Sequence, residues 1–314
     1  MVDIKSNFNN TLDNPKFKNL GKQIDGKVRA SYVQDGRRII VTSDRISAFD
    51  VILTNVPFKG QILTGLSKFW FDKTKDIVPN HLIDIPDPSV MVVKECEVYP
   101  VEVVVRAYIT GSAWRDYTKG NPISGITLAP GLKKNQKLIK HIITPSTKAD
   151  IGLHDEPISR EGIISRGLVS EDEYKQIEEY ANKLFTVGAK IAEERGLILV
   201  DTKYEFGKDK DGNICVVDEI HTPDSSRYWY KSSYEEKFNA GDEPHQLDKE
   251  YLRGWLISQG FMGDGDVPNI PEEILENTVK RYITTYEEIT GTKFVPNTEE
   301  PIKRIEKNLL SYKI

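Results

Sequence analysis

The chain has 314 residues, 38% of them hydrophobic, enough apolar material for a large core and for two lobes rather than one. Its net charge of −5 is mixed along the sequence and offers no basic surface for nucleic acid, and two cysteines, Cys96 and Cys215, are too few for a disulfide framework or a zinc site. The first residues, MVDIKSNFNN, have neither the apolar core of a signal peptide nor an arginine-rich transit helix, and no apolar run nears the ~20 residues of a membrane span, so a cytoplasmic protein is expected.

The first hundred residues read mainly as β. GKVRASYVQDGRRIIVTSD (26–44) is strand, Asp35-Gly36 turn, strand. VILTNVPF and MVVKECEV read as further strands, and between them Ile62, Leu63, Leu66, Phe69 and Trp70 recur at helical spacing. GKQIDGKV (21–28) narrowly misses the P-loop pattern: Val28 stands where a hydroxyl should be, and a strand follows instead of a helix. A glycine-containing turn entering a β-hairpin fits better. Gly26 would permit close backbone approach and Lys27 and Arg29 would supply charge, as hairpin loops cover triphosphates in kinase-like folds. A plain turn is the commoner meaning of such a Gly-Lys pair.

Pro100 punctuates VYPVEVVVRAY, and the β-branched strand after it is expected to cross between lobes near Glu97–Glu102. Arg106 lies at its end, with Gly111-Ser112 as an anion-binding turn; an inter-lobe ion pair is the alternative for Arg106. From Lys119 to Arg160 periodicity fades, as in a segment that covers a site. His141 and His154 within it lack metal-ligand spacing. Ser170 to Glu173 is a capping box, and Tyr174, Ile177, Ala181, Leu184, Gly188 and Ile191 carry a long helix to Gly196.

DTKYEFGKDKDGNICVVDE (201–219) is strand, turn, strand, with Asp211-Gly212 as a two-residue turn. That register pairs Lys210 with Asn213 and sets Glu205 opposite Asp218, with β-carbons roughly 4.5–5.5 Å apart. Asp201, Lys203 and Glu205 share one face. Facing acids repel unless a cation offsets them. Either this is a solvated face balanced by Lys203, or Glu205 and Asp218 hold Mg²⁺, which takes one or two carboxylates plus substrate phosphates. Ile214 in the glycine position excludes a calcium loop. EIHTPDSSRYW (219–229) then forms a dense polar loop in which Arg227 suits bidentate binding of phosphate or carboxylate, while His221 reads as hydrogen-bonded loop filler. Helices are expected at Leu247–Gln259, Pro271–Ile289 and Pro301–Leu310.

GKVRASY, SDRISAFD, VVVRAYITGSAW, TPSTKAD, HDEPIS, DTKYEFG and VDEIHTPDSSRYW occur in this order from Gly26 to Trp229. Together they resemble the long, single-chain form of the SAICAR synthetase (phosphoribosylaminoimidazole-succinocarboxamide synthase) family of purine biosynthesis. One departure is Ala30, where the family usually carries an acid. The resemblance implies an α+β, two-lobed fold: an antiparallel β lobe over residues 1–100, a larger α+β lobe over 101–314, and ATP in the cleft. It implies an ATP- and Mg²⁺-dependent ligase that joins 5-amino-1-(5-phosphoribosyl)imidazole-4-carboxylate to L-aspartate through an acyl phosphate, releasing ADP and phosphate. No nucleic acid, membrane or obligate protein partner enters that scheme.

Carried over by motif position, Glu205 and Asp218 would hold Mg²⁺, and Lys148, Lys203 and Asp201 would serve the reacting groups. Gly26, Lys27, Arg29 and Glu102 would bind ATP. Arg106, Ser112, Asp224, Ser225 and Arg227 would bind the ribotide, with Ser47 and Asp50 as candidates for the aspartate pocket. Two rivals stay open at this point. A small-molecule kinase of related fold would consume ATP without aspartate, and a nucleotide-sensing module would bind without turnover.

Overall fold

A computed structural model describes residues 2–49, 51–148, 155–247 and 249–314. Up to residue 95 its elements are β1 (Lys22–Asp25), β2 (Arg29–Gln34), β3 (Arg37–Thr42), β4 (Arg45–Ala48), β5 (Val51–Asn55), α1 (Lys59–Thr74), β6 (Leu82–Asp87) and β7 (Val90–Lys94). Then come β8 (Cys96–Tyr108), α2 (Gly111–Thr118), β9 (Lys137–Thr147), α3 (Arg160–Ser165), α4 (Glu171–Glu194), β10 (Leu197–Asp209), β11 (Ile214–Val217), β12 (Ser226–Tyr230) and α5 (Lys231–Ala240). The chain closes with α6 (Glu250–Ser258), α7 (Glu272–Thr290) and α8 (Pro301–Asn308). No helix among the described residues is long and apolar enough to cross a membrane.

The chain divides into two compact units. One takes residues up to 72, 81–95 and 247–314; the other takes 73–80 and 96–246. In the first, an antiparallel sheet runs β1-β2-β3-β7-β6, and β4 and β5 form a separate ribbon. Alternation turns Ala30, Tyr32, Ile39, Val41, Val90 and Val92 into one core, which Ile305 and Leu309 of the C-terminal segment cover. Ala30 is fully buried there, so a carboxylate at that position would stand among apolar side chains. The Arg304 guanidinium bonds Asp87 through Nε and Nη2 at 2.9 and 3.1 Å, which fastens α8 to the end of β6. The compact units group residues 247–314 with the N-terminal sheet, whose apolar face α8 covers, and so cut the chain differently from a single division at residue 100.

In the second unit the sheet runs β11-β10-β8-β9, with β12 also on β10. Pro100 does not interrupt β8. It lies in an irregularity where Glu102 and Val98 face Glu205 and Gly207, so the missing amide costs no ladder bond to β10. The segment 119–160 is less irregular than expected, since KLIKHIITPST forms β9, paired with β8. Residues 149–154, with part of the TPSTKAD and HDEPIS motifs, lie outside the described residues, as does Asp50. Helix α4 begins as its capping box requires, with Ser170 Oγ accepting the Glu173 amide. Cys96 and Cys215 are free, and their sulfurs lie 3.6 Å apart beside Gly207, where a β-carbon would come within 3.0 Å of Cys96 Cβ.

Candidate active site

Strand β10 carries Asp201, Lys203 and Glu205 on one face, by the period of two. Antiparallel pairing sets Arg106, Val104 and Glu102 of β8 opposite them in that order. One face of the second unit's sheet therefore holds two polar clusters, four residues or about 13 Å apart along the strands.

At one end Asp201 joins two arginines. Its Oδ2 accepts from Arg106 Nη1 at 3.3 Å and from Arg227 Nη1 at 2.6 Å, Arg227 being its neighbour on β12. Arg106 also donates to Thr144 Oγ1 at 2.8 Å and to Ser112 Oγ at 3.2 Å. Gly111 opens α2 at φ +56, and a β-carbon on it would lie 2.7 Å from both Arg227 terminal nitrogens, so only glycine lets the guanidinium sit against this turn. Two guanidinium groups converging on one carboxylate, beside a hydroxyl and a helix start, form a set of donors that suits an anion.

At the other end Lys203 Nζ donates to Glu102 Oε1 at 2.5 Å and to Glu205 Oε1 at 3.4 Å, while Lys148 pairs with Glu205 Oε2. Burial pushes the Glu102 carboxyl up to about 7, with Lys203 opposing and the Glu205 charge adding to the rise. Burial acts on Glu205 in the same direction, but Lys203 and Lys148 outweigh it and bring that group down to about 2. Burial lowers the Lys203 amine, yet Glu205 and Glu102 hold it above the ordinary lysine range, with Asp218 adding to their field. Facing carboxylates repel, and the lysine between them is what makes the pair tolerable.

The facing acids are thus not the expected ones. Glu205 stands opposite Val217 on β11 and opposite Glu102 on β8. The hairpin loop is Lys210-Asp211-Gly212, closed by Asp209 N to Asn213 O (3.0 Å), with Gly212 at φ +84. A three-residue loop with a left-handed glycine shifts the register by one from a two-residue turn. Asp218 follows β11 at φ +65, half-buried, and approaches Lys203 from the strand end.

In the loop after it, Ser225 accepts the Thr222 amide on Oγ (3.2 Å), and its carbonyl takes the Lys203 amide (2.9 Å). Ser225 therefore supports Lys203 through the backbone, and Asp224 donates its amide to Thr222 Oγ1 at 3.2 Å. Gly26, Lys27, Arg29 and Ser47 belong to the first unit and lie in or beside the β1–β2 turn and in β4. Sequence reasoning missed Thr144, whose strand was not recognised; the β-branched alternation of HIITPST was the available signal.

His221 is loop structure, as expected. It is fully buried at φ +56, and its Nε2 meets Tyr204 Oη at 2.5 Å. Burial drops the imidazole from 6.5 to about 3. Because the folded state holds it neutral, its contribution to stability is complete above pH 6.5 and is lost as pH falls from there toward 3, by at most about 1.4 kcal/mol per pH unit. The Glu102 carboxyl, raised to about 7, and the Asp44 carboxyl, raised to about 6, contribute in the opposite direction over the same window, so the measurement is a difference. In urea unfolding at pH 7.5 and pH 5, His221→Gln should lose less stability on acidification, or gain more, than the parent.

Gly188 of α4 packs on the same ring, where a β-carbon would lie 2.2 Å from Cε1. Helix propensity would favour Gly188→Ala by about 1 kcal/mol, but overpacking against a buried ring costs about 1–3 kcal/mol. A net loss of stability in denaturant titration is the expected result.

The comparisons with known proteins bear out the family resemblance. A sequence profile of the SAICAR synthetase family matches residues 22–269. Phosphoribosylaminoimidazole-succinocarboxamide synthase of Bacteroides fragilis is 50% identical, over 91% of this chain and 93% of its own length. That of Flavobacterium psychrophilum is 48% identical, over 96% and 98%. Among solved structures, SAICAR synthase from Saccharomyces cerevisiae in complex with SAICAR superposes with a TM-score of 0.80 at 36% identity, covering 91% of this chain and all of that one. A SAICAR synthetase in complex with ADP gives 0.69 at 28%, covering 88% of this chain and all of that one.

Proposed function

This chain belongs to the SAICAR synthetase family, and we propose that the β8–β10 face is where it performs that family's ligation. The protein is an ATP-dependent carboxylate–amine ligase of purine biosynthesis, which joins the imidazole ribotide carboxylate to L-aspartate and releases ADP and phosphate. The kinase alternative is not favoured. The observation that carries the placement is the pair of clusters about 13 Å apart on one sheet face. A ribotide has a phosphate at one end and a carboxylate at the other, and the face offers a cationic group for each.

In this reading Arg106, Arg227 and Ser112 bind the ribose phosphate, with Asp201 aligning both guanidinium groups. Lys203 and Lys148 neutralise the reacting carboxylate and the phosphoryl group passing to it. A carboxylate does not acylate an amine at neutral pH because its oxygen leaves poorly. Phosphorylation by ATP forms a new P–O bond and frees ADP. The unprotonated aspartate nitrogen then attacks the acyl carbon, the C–O bond breaks as phosphate departs, and the proton shed by the nitrogen passes to the leaving phosphate or to water. Positioning and charge neutralisation supply most of the catalysis in such a transfer. The β1–β2 turn, with Gly26, Lys27 and Arg29, covers the ATP phosphates, and Glu102, paired with Lys203, stays assigned to ATP binding. Ser47 stays a candidate for the aspartate pocket, as does Asp50, which lies outside the described residues. A reducing cytoplasm suits the two free thiols.

Magnesium is implied by the family. Among the described residues, no three His, Cys, Asp or Glu side chains form a metal cage by themselves. The donors nonetheless fit an ion that draws most of its ligands from water and phosphate, since Glu205 and Asp218 both act on Lys203 and are carboxylates. They would hold it, and it would offset phosphate charge. Glu205→Gln and Asp218→Asn should each raise the Mg²⁺ concentration for half-activation by about tenfold or more. Unchanged Mg²⁺ dependence in both would remove them from the metal site.

The function is tested by ADP release with the carboxylated imidazole ribotide, with and without L-aspartate, in Mg²⁺ or EDTA, while the succinocarboxamide is followed by absorbance. ADP and product should appear one for one and need both aspartate and Mg²⁺. ADP release that ignores aspartate would return the kinase reading.

A further inference from the structure

Ser43, Asp44 and Arg45 of the SDRISAFD stretch are buried, at 0%, 5% and 6% exposure, and the mechanism above uses none of them. The Asp44 carboxylate is occupied by framework: Oδ2 accepts the Leu12 amide at 2.8 Å and Oδ1 the Gly60 amide at 2.9 Å. Its two neighbours reach the β1–β2 turn instead. Ser43 donates to the Val28 carbonyl through both its amide (2.9 Å) and its hydroxyl (2.8 Å). Arg45 Nη2 donates to the Gly26 carbonyl at 3.2 Å, and its Nε to Ser43 Oγ at 3.1 Å. Gly26 N closes the turn on Arg29 O at 2.8 Å. Lys27, itself exposed, therefore stands between two peptides whose carbonyls are fastened from the buried side.

Both acceptors of Arg45 are neutral, so its buried charge is not cancelled by them. That charge lies at the root of a turn whose flanking side chains, Lys27 and Arg29, are also cationic.

We propose that Arg45, with Ser43 as second fastener, is a positioning residue for nucleotide binding, holding the Gly26–Arg29 turn in the shape that receives the ATP phosphates. The proposal rests on the reading of this turn as the phosphate cover. A phosphate loop left free would lose entropy each time it closed on ATP, whereas a turn fastened beforehand binds without that loss. The anchoring also accounts for a buried arginine on a carbonyl, where an apolar residue would otherwise pack at lower desolvation cost.

Full-length Arg45→Met, Arg45→Lys and Ser43→Ala variants test it, with Lys27→Ala as a probe of the turn itself. Ser43→Ala removes one hydroxyl and keeps the arginine, so it reports even if Arg45→Met folds poorly. Hydrogen exchange of the amides of residues 26–30 should accelerate in Arg45→Met and Ser43→Ala. The KM for ATP should rise by about tenfold or more in Arg45→Met, as for loss of a charge-assisted hydrogen bond, with partial recovery in Arg45→Lys and no change in the KM for the ribotide. Unchanged exchange in both variants would overturn the positioning role, whatever the turn binds. Faster exchange with an unchanged ATP KM in Arg45→Met and also in Lys27→Ala would overturn it differently, by showing that the fastened turn does not receive ATP.

Discussion

Lys203→Met is expected to lower kcat by about 10²–10³-fold while the ribotide still binds. The amine lies 2.5 Å from Glu102 and 3.4 Å from Glu205, and the field of the two acids holds it above the ordinary lysine range. If the β8–β10 face receives the carboxylate as proposed, a cation there stabilises charge that grows as the phosphoryl group transfers, so its removal should act on turnover more than on binding. Methionine has the length but no charge, and it leaves Glu102 and Glu205 facing each other, with Lys148 on Glu205. The fold could suffer as well, so Lys203→Arg, which keeps the charge, is the companion variant. Rapid-quench turnover and ribotide titration separate the effects. Equal losses in kcat and in ribotide affinity would assign Lys203 to ground-state binding instead.

Arg106→Ala should raise the ribotide KM by about 10²-fold with a smaller change in kcat. The guanidinium bonds Asp201, Ser112 and Thr144 at once, so its loss removes one cation and loosens the alignment of the other. Arg227→Lys should act in the same sense but less strongly. Lysine keeps the charge yet lacks the flat fork that fits between Asp201 and the bare α-carbon of Gly111. Steady-state kinetics with the ribotide varied at saturating ATP and aspartate would show this split. An unchanged ribotide KM in both variants would move the phosphate elsewhere.

Much of this was legible in the chain itself, wherever the deciding physics is local. The cap at Ser170, the stripe from Tyr174 to Ile191 and the C-terminal helices follow from backbone donors and apolar spacing within a few residues. That Asp201, Lys203 and Glu205 share a face follows from strand geometry alone. Their partners do not. Glu205 faces Glu102 because β10 lies between β8 and β11, an order set by long-range packing, and it misses Asp218 because a left-handed Gly212 lengthened the hairpin loop by one residue. The arginine pair on Asp201 draws from β8, β10 and β12, and Thr144 joins it from β9, so no single segment contains that site. Residue types and faces were determined by the sequence, through local sterics and hydrogen bonding. Which charges meet was decided only in the tertiary structure, because strand order and register come from burying a whole sheet at once.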